Sequence, residues 1–295
     1  MMRVDTYHDD RPSSPEDIMP DLTLSIVTFN HESQIHNVID SIIGGMTPLD
    51  EVEGDLPDFR IIVIDNASTD NTAQVVLNAQ THYPGLIEWL PQKFNRGFGV
   101  GHNRAIPLMK SQYHVVVNPD ILIPCGALLE MIRFMDTNPD IGLLTPKVVF
   151  PDNSQQYLCR RRPTFGDVFL HPAWKSAFQK RKDWFEMRET GYNHVFDVEY
   201  ATGCFLFFRT EVFLQIHGFD EKFFLYLEDA DITRRVNEVS RTVFFPGVQI
   251  IHDRPRNRLR RIPQLWVSLQ SWMHYWMKWH YRARMNRQRR VPQKK

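Results

Sequence analysis

The residues best suited to chemistry stand where apolar runs end in polar turns. Val115-Val116-Val117 runs straight into Asn118-Pro119-Asp120. Three consecutive β-branched residues predict a buried strand. Positions i and i+2 of an extended segment point to the same side, so Asn118 and Asp120 offer oxygen ligands together. Pro119 fixes φ between them and cannot continue the ladder. A carboxylate and a carboxamide so placed suit a hard divalent cation, Mg²⁺ or Mn²⁺, of the kind that bridges a bound diphosphate. The same residues also fit a plain Asn-Pro-Asp turn. Asp65 closes a second run, Arg60–Asp65. There it can accept the imide N–H of a uracil or thymine ring, or cap the turn through Asn66, Ser68 and Thr69. Glu228-Asp229 follows the aromatic stretch Phe223–Leu227 and opens a helix. Acids at a helix start usually complement its dipole, and Asp231 with Arg235 is an ordinary i,i+4 pair. Yet a carboxylate beside an apolar surface can have a raised pKa and take a proton from an attacking hydroxyl. His252, after the apolar Val248–Ile251 segment, fits a structural histidine or a third contact to metal or diphosphate.

These residues need a scaffold, and its period is visible. Residues 22–30 form an apolar run ending at Thr28-Phe29-Asn30, and Ile35, Val38, Ile39 and Ile42 follow at helical spacing until Gly44-Gly45. Residues 60–65 are a second strand, Ala73–Gln80 a helix, 86–90 a third strand. A glycine-rich loop, Asn95-Arg96-Gly97-Phe98-Gly99-Val100-Gly101, enters a helix near His102, and residues 113–121 are read as a fourth strand. Glycines allow close backbone approach and a helix start offers N–H groups to phosphate, but the spacing is not the dinucleotide pattern G-x-G-x-x-G. Strand–helix alternation predicts an α/β unit with a mostly parallel sheet, whose ligands sit beyond the C-terminal strand ends. Asn30, Asp65 and Asn118-Pro119-Asp120 all fall there. Further on, Ala127–Met135 predicts a helix, 141–150 and 198–210 strands, 211–219 a short helix and 242–253 a final strand pair. The segment 151–197 has no clean period.

The 295 residues are 42% hydrophobic and 24% charged, ordinary globular values. The formal net charge of zero hides an asymmetry. Thirteen of the 35 Lys and Arg lie between Arg254 and Lys295, which hold no Asp or Glu, leaving 22 basic residues against all 35 acidic ones in the rest. An acidic body argues against nucleic acid as partner, while a basic tail suits an anionic membrane surface. Cys125, Cys159 and Cys204 have neither metal-ligand spacing nor a disulfide framework and fit a reducing cytoplasm. Residues 1–20 are polar and proline-rich, predicting a disordered leader without a secretory signal. No apolar run is long enough to cross a bilayer.

In order, VIDNASTD (63–70), NRGFGVGHNRAI (95–106), VVVNPDI (115–121), RRRPT (160–164), ATGCFLFFRTEVF (201–213), GFDEKFFLYLEDADITRRV (218–236) and IIHD (250–253) resemble the family 2 glycosyltransferases. They are most similar to the bacterial rhamnosyltransferase-like branch that builds surface polysaccharides such as O-antigen or cell wall. The resemblance covers about residues 22–253. It implies the GT-A fold over 21–253, with a nucleotide-sugar half at 21–125 and an acceptor half at 126–253. It also implies an inverting enzyme using Mg²⁺ or Mn²⁺. By the same resemblance Asp229 is the general base and Glu228 orients the acceptor. Asp120, Asn118 and His252 hold the metal, and Asn118 is an Asn where the family motif is D-x-D. Thr28, Asn30, Asp65, Asn95, Arg96, Gly97, Gly99, Asn103 and Asn118 form the donor site. The expected donor is a dTDP- or UDP-sugar, with L-rhamnose from dTDP-rhamnose preferred. The acceptor is a saccharide or a polyprenyl-diphosphate-linked saccharide. The alternatives are a UDP-hexose donor or an inactive carbohydrate-binding relative. A sugar-nucleotide pyrophosphorylase is disfavoured, because the first strand ends in Thr28-Phe29-Asn30-His31-Glu32-Ser33 and not in a basic glycine-rich loop.

The tail 254–295 predicts a helix from Pro263. Leu265, Trp266, Leu269, Trp272, Met273, Trp276, Met277 and Trp279 recur at helical spacing, with Ser268, Ser271, Lys278 and Arg282 largely on another side. An aromatic, basic amphipathic helix is expected to lie at the membrane–water interface. That would place the protein at the inner face of the cytoplasmic membrane. Docking on the domain, or a homodimer contact, is the alternative use of such a helix.

Overall fold

The computed structural model describes residues 21–49, 57–164, 166–167, 179–253 and 262–290. The expected leader lies outside the described residues, as does most of the acidic loop before residue 57. In chain order the elements are β1 (Leu22–Thr28), α1 (Ile35–Gly45), β2 (Phe59–Asp65), α2 (Thr72–His82), β3 (Ile87–Pro91), α3 (Phe98–Asn103), β4 (Tyr113–Val117), β5 (Ile121–Leu122), α4 (Ala127–Thr137), β6 (Ile141–Val149), β7 (Gln155–Gln156), β8 (Cys159–Arg160), α5 (Gln179–Phe185), β9 (Phe196–Asp197), β10 (Tyr200–Ala201), β11 (Phe205–Arg209), α6 (Thr210–Gln215), α7 (Glu228–Val236), β12 (Arg241–His252) and α8 (Ile262–Arg290).

The main sheet runs β3-β2-β1-β4-β11-β6-β12-β5, with β7 added to β6 and β9 to β12. β3, β2, β1 and β4 are mutually parallel. β1 and β4 and the centre of β2 are buried on both faces; β2 is apolar there, while Thr23 and Ser25 of β1 and His114 of β4 are polar yet buried. α1 and α4 cover one face, packing Ile35, Val38, Ile39, Leu128 and Met131 onto Leu24, Ile26, Val63, Val115 and Phe207. α6 and α7 cover the other, where Phe213, Ile232 and Val236 meet Ile62, Val116, Leu206 and Phe208. The strand that breaks the parallel order is β11, antiparallel to both β4 and β6. This reversal brings the residues before Phe205 alongside the end of β4, because Phe205 pairs with Val117.

The strand pair expected at 242–253 is one long strand, β12, parallel to β6 with a register shift between Phe245 and Gln249. Pro246 within the shift has no N–H to donate, so pairing resumes beyond it. The strand then reaches far enough for His252 to pair with Ile121. The described residues of the aperiodic 151–197 segment form two-residue strands and short helices, pinned by Tyr192, whose hydroxyl oxygen lies 2.8 Å from the carbonyl oxygens of both Cys159 and Glu186 and accepts the Cys159 N–H at 3.1 Å.

α8 divides the expected apolar stripe between its two faces. Ser268, Ser271, Tyr275 and Trp279 form the buried stripe, with Trp272 partly covered. Tyr275 and Trp279 join Phe185, Tyr200, Phe223, Leu227 and Ala230 in one apolar cluster. The outward face carries Leu265, Trp266, Met273, Trp276, Met277 and Tyr281; Trp266 is 65% exposed, Trp276 50% and Tyr281 66%. Polar groups turn inward because the acidic body meets them. Lys278 bonds Asp220 and Asp231, and the Arg282 guanidinium pairs with Glu238.

A polar chain lies inside the parallel half. Ser25 Oγ is 2.7 Å from His102 Nδ1 and 3.0 Å from His114 Nε2, and Thr23 Oγ1 is 2.9 Å from His114 Nδ1. Both histidines are fully buried. Burial lowers His114 to about 3, and burial with the nearby His114 holds His102 well below the usual imidazole value. The folded chain therefore binds fewer protons here than the unfolded chain, so stability is complete above about pH 6.5 and declines below it. At pH 5 His114 alone costs about 2 kcal/mol. Urea midpoints should fall between pH 7.5 and pH 5, and less steeply in His114→Gln; equal slopes would contradict the assignment.

Candidate active site

The parallel strands β1, β2 and β4 end side by side: Thr28 pairs with Asp65, and Ile26 with Val117. The loops after them form one edge, as the alternation predicts. Thr28 itself is fully buried, and its carbonyl accepts the Asn66 N–H at 2.9 Å. It shapes the edge from beneath. Asn30 has φ +60°, and its Oδ1 accepts the Thr69 N–H at 2.8 Å, tying the first two loops together. Asp65 Oδ1 accepts the Ser68 N–H at 2.9 Å and the Ser68 hydroxyl at 2.6 Å, so the turn-capping alternative is built into the fold.

Asp120 and His252 meet because β12 pairs with β5. Asp120 Oδ1 and His252 Nε2 are 3.3 Å apart, and the Asp253 N–H donates to the Asp120 carbonyl at 2.9 Å. Burial opposes charge on His252, but Cys204 and Asp120 outweigh it and push the imidazole up to about 9. Burial likewise raises Asp120, and the hydrogen bond and charge of His252 overcome this and lower it. Asp120 Oδ1 and both His252 ring nitrogens are buried without an aligned hydrogen-bond partner. Among the described residues no group of three or more His, Cys, Asp or Glu could hold a metal ion. The donor set here is one carboxylate, one imidazole and the neighbouring Asn118 carboxamide. Orphaned buried oxygen and nitrogen donors in that mixture fit a hard or borderline divalent cation.

The acid pair opens α7, both side chains nearly buried. Asp229 Oδ2 accepts the Gly203 N–H at 3.0 Å and the Tyr200 hydroxyl at 3.2 Å, and Oδ1 accepts the Ala230 N–H at 2.9 Å. Burial raises Asp229, against the pull of the Gly203 N–H, the Arg160 charge, the Ala230 N–H and the Tyr200 hydroxyl. Glu228, raised well above the carboxylate range by burial and by Asp229, has a buried Oε2 without a partner. The pair thus holds its proton on Glu228 and its charge on Asp229.

The glycine-rich loop approaches protein. A Cβ at Gly97, φ +92°, would meet the Phe224 carbonyl at 2.0 Å; at Gly99 it would meet Phe219, and at Gly101 Val27. Asn95 Oδ1 accepts the Gly97 N–H at 2.8 Å, and exposed Arg96 lies over the Phe94 ring. α3 starts at Phe98, earlier than expected. Asn103 is spent on backbone: its amide donates to the Phe219 carbonyl and its oxygen accepts the Phe219 N–H, both at 2.8 Å. It ties the end of α3 to the segment after α6.

Four contributors were not singled out from sequence. Tyr200 and the Gly203 N–H hold Asp229. Arg160 stacks on Tyr200, 5.7 Å from the ring centroid. His31 stands at the β1 edge, close enough for its charge to lower Asp120. Of these only Arg160, in RRRPT, and Gly203, in ATGC, carried a signal, through motifs that named no role.

A family model for glycosyl transferase family 2 matches residues 23–213. The chain belongs to the family 2 glycosyltransferases. It is 25% identical over 215 residues to the N-acetylglucosaminyl-diphospho-decaprenol L-rhamnosyltransferase of Mycobacterium tuberculosis, a match covering 66% of each chain and so just under two thirds of that relative. It is 24% identical over 238 residues to the rhamnosyltransferase WbbL of Escherichia coli K12, covering 77% of this chain and 81% of that one. Among solved structures it resembles the mannosyltransferase PcManGT of Pyrobaculum calidifontis, whose structure holds GDP-Man and Mn²⁺. That similarity has a TM-score of 0.56 at 19% identity and covers 85% of this chain and 61% of that one. The fold is GT-A, and the chain is a glycosyltransferase.

Asp229 must be ionised to accept a proton, and its pKa is raised. The acid limb of the pH–rate profile should therefore lie above the ordinary carboxylate range of about 4. Tyr200→Phe keeps the ring and removes one donor to the anion, so it should move that limb to still higher pH. An unmoved or lowered limb would contradict the geometry.

Proposed function

We propose that the enzyme transfers a sugar from a nucleoside diphosphate donor to a saccharide or polyprenyl-diphosphate-linked saccharide, with inversion. L-Rhamnose from dTDP-rhamnose is the preferred donor. The observation that carries the reading is the bond from Gly203 N–H to Asp229, one residue before the Cys204 carbonyl that accepts the Asn118 N–H at 2.9 Å. A base and a diphosphate-side turn are thereby joined through two residues. Rhamnose and the lipid-linked acceptor rest on the two bacterial relatives, one named for a decaprenol-linked substrate.

The steps follow from the side chains. Donor diphosphate lies over the Asn118–Asp120 turn, and the pyrimidine near Asp65. Asp229 accepts the acceptor hydroxyl's proton as oxygen attacks the anomeric carbon in line, while protonated Glu228 can donate a hydrogen bond that orients the acceptor. Gly203 N–H and Tyr200 keep Asp229 in one rotamer throughout. Asp120, Asn118 and His252 would hold Mg²⁺ or Mn²⁺, which when bound supplies charge to the departing nucleoside diphosphate. No covalent intermediate is required.

The protein works peripherally on an anionic membrane, presenting the outward face of α8. Trp266, Trp276 and Tyr281 supply the apolar contact, and the acid-free segment 254–295 supplies the positive charge. No helix among the described residues is long and apolar enough to cross a membrane.

Two tests follow. Asp229→Asn should keep donor binding and lower transfer by roughly 10²–10⁴-fold. Asp120→Ala or chelation should abolish metal-dependent donor binding in a thermal-shift panel of dTDP-, UDP- and GDP-sugars, with Cys125→Ala as the neutral control. Near wild-type transfer by Asp229→Asn, or full activity in chelator, would sink the respective assignment. For the membrane, replacing Trp266, Trp276 and Tyr281 together by Ser should release the protein from anionic liposomes at high salt, where the basic residues no longer hold it. Undiminished sedimentation would remove the outer face as the anchor.

A further inference from the structure

Residues 220–227 join the donor loop to the acid pair. The Phe98 N–H donates to the Phe224 carbonyl at 3.1 Å, and that oxygen is the one a Gly97 side chain would strike. Four residues after Phe224, α7 begins with Glu228. Between them Tyr226 and Leu227 are consecutive non-glycine residues in the left-handed region, φ +73° and +66°. Leu227, the residue capping α7, makes no side-chain capping bond to its N-terminus. Such backbone persists only where its surroundings over-determine it.

α8 provides those surroundings. The Ser271 hydroxyl donates to the Leu225 carbonyl at 2.8 Å, next to the left-handed pair. Lys278 Nζ donates to Asp220 at 2.7 Å and to Asp231 at 2.9 Å, spanning the loop from its start to the first turn of α7. His274 Nε2 lies 3.1 Å from Asp220, and Trp279 Nε1–H donates to Asp231 at 3.0 Å. Asp231 is fully buried and also takes the Arg235 Nε–H at 2.8 Å, so α7 and α8 share one buried carboxylate two residues beyond Asp229. Tyr275 and Trp279 close over Phe223, Leu227 and Ala230. All of these partners sit behind the acid pair.

We propose that α8 is a clamp on the catalytic loop: Ser271, Lys278 and Trp279 are positioning residues that hold 220–227 in its left-handed conformation and so set Asp229 against the Gly203 N–H. This rests on the reading of Asp229 as the base. A clamp of this kind acts more on turnover than on donor affinity: the pyrimidine and diphosphate contacts lie across the edge at Asp65 and Asn118–Asp120, although the Phe98–Phe224 bond links 220–227 to the donor loop. Small misplacements of a catalytic group can cost about 10²-fold in rate.

The test uses the full chain. Lys278→Met with Trp279→Phe should lower kcat by about tenfold or more and change donor affinity by less than about threefold. Amide exchange across 221–229 should quicken, and Lys278→Arg alone should stay close to wild type. The proposal is overturned if the double variant keeps kcat within about twofold. It is also overturned if kcat, donor affinity and Tm fall together with Lys278→Arg no better than Lys278→Met, which is what simple destabilisation gives. Should the double variant not fold, Ser271→Ala removes a single bond to Leu225 and is judged by the same kcat and exchange criteria. The exchange readout needs no turnover, so it decides the clamp even if Asp229→Asn proves active and the base is another group.

Discussion

Two backbone groups on adjacent residues hold the proposed chemistry together. Gly203 gives its N–H to Asp229, and Cys204 gives its carbonyl to Asn118. Both depend on β11 running antiparallel beside β4, since that pairing sets Phe205 opposite Val117 and lays the two preceding residues against the strand end. Without the reversal, the acid pair on α7 and the Asn118–Asp120 turn would have no common neighbour. The space at Gly203 is also shared: a Cβ there would lie 3.2 Å from Asp229 Cβ and 3.4 Å from the Phe98 ring. Donor loop, base and diphosphate turn therefore converge on one small residue.

Electrostatics within that frame are set by burial more than by net charge. Two adjacent carboxylates with little water cannot both ionise cheaply. Asp229 receives three donors and Glu228 Oε2 none, which divides one proton between them unequally. Across the site the opposite logic holds. His252 and Asp120 form a charged pair whose buried polar atoms are imperfectly satisfied, so a divalent cation bound to both would have to displace the imidazole's proton.

The parallel half of the fold was legible because its strands are short β-branched runs ended by Thr28, Asp65 and Asn118, and its first helix keeps a clean period. What sequence could not show was partnership at long range. Gly97, Gly99 and Gly101 read as a ligand cradle, yet each is small because Phe224, Phe219 or Val27 packs on it. Asn103 read as a donor contact and is engaged by Phe219 backbone. Tyr200 lay in the run 198–210, expected as one strand; the structure divides that run into β10 and β11, and nothing in it marked the hydroxyl's partner on α7. α8 was legible as a helix, and most of its apolar stripe does face outward, but hydrophobicity alone did not show that Trp272 and Trp279 turn inward. Ser268, Ser271 and Lys278 turn inward because Leu225, Asp220 and Asp231 wait there, and several aromatic residues are left outside.

The central claim is a direct displacement at the anomeric carbon, with Asp229 accepting the proton and no covalent glycosyl-enzyme. The most direct test is the anomeric configuration of the product, followed by NMR from the first turnovers with the preferred nucleotide sugar. The account predicts an anomeric configuration opposite to that of the donor; a product that keeps the donor's configuration would contradict it.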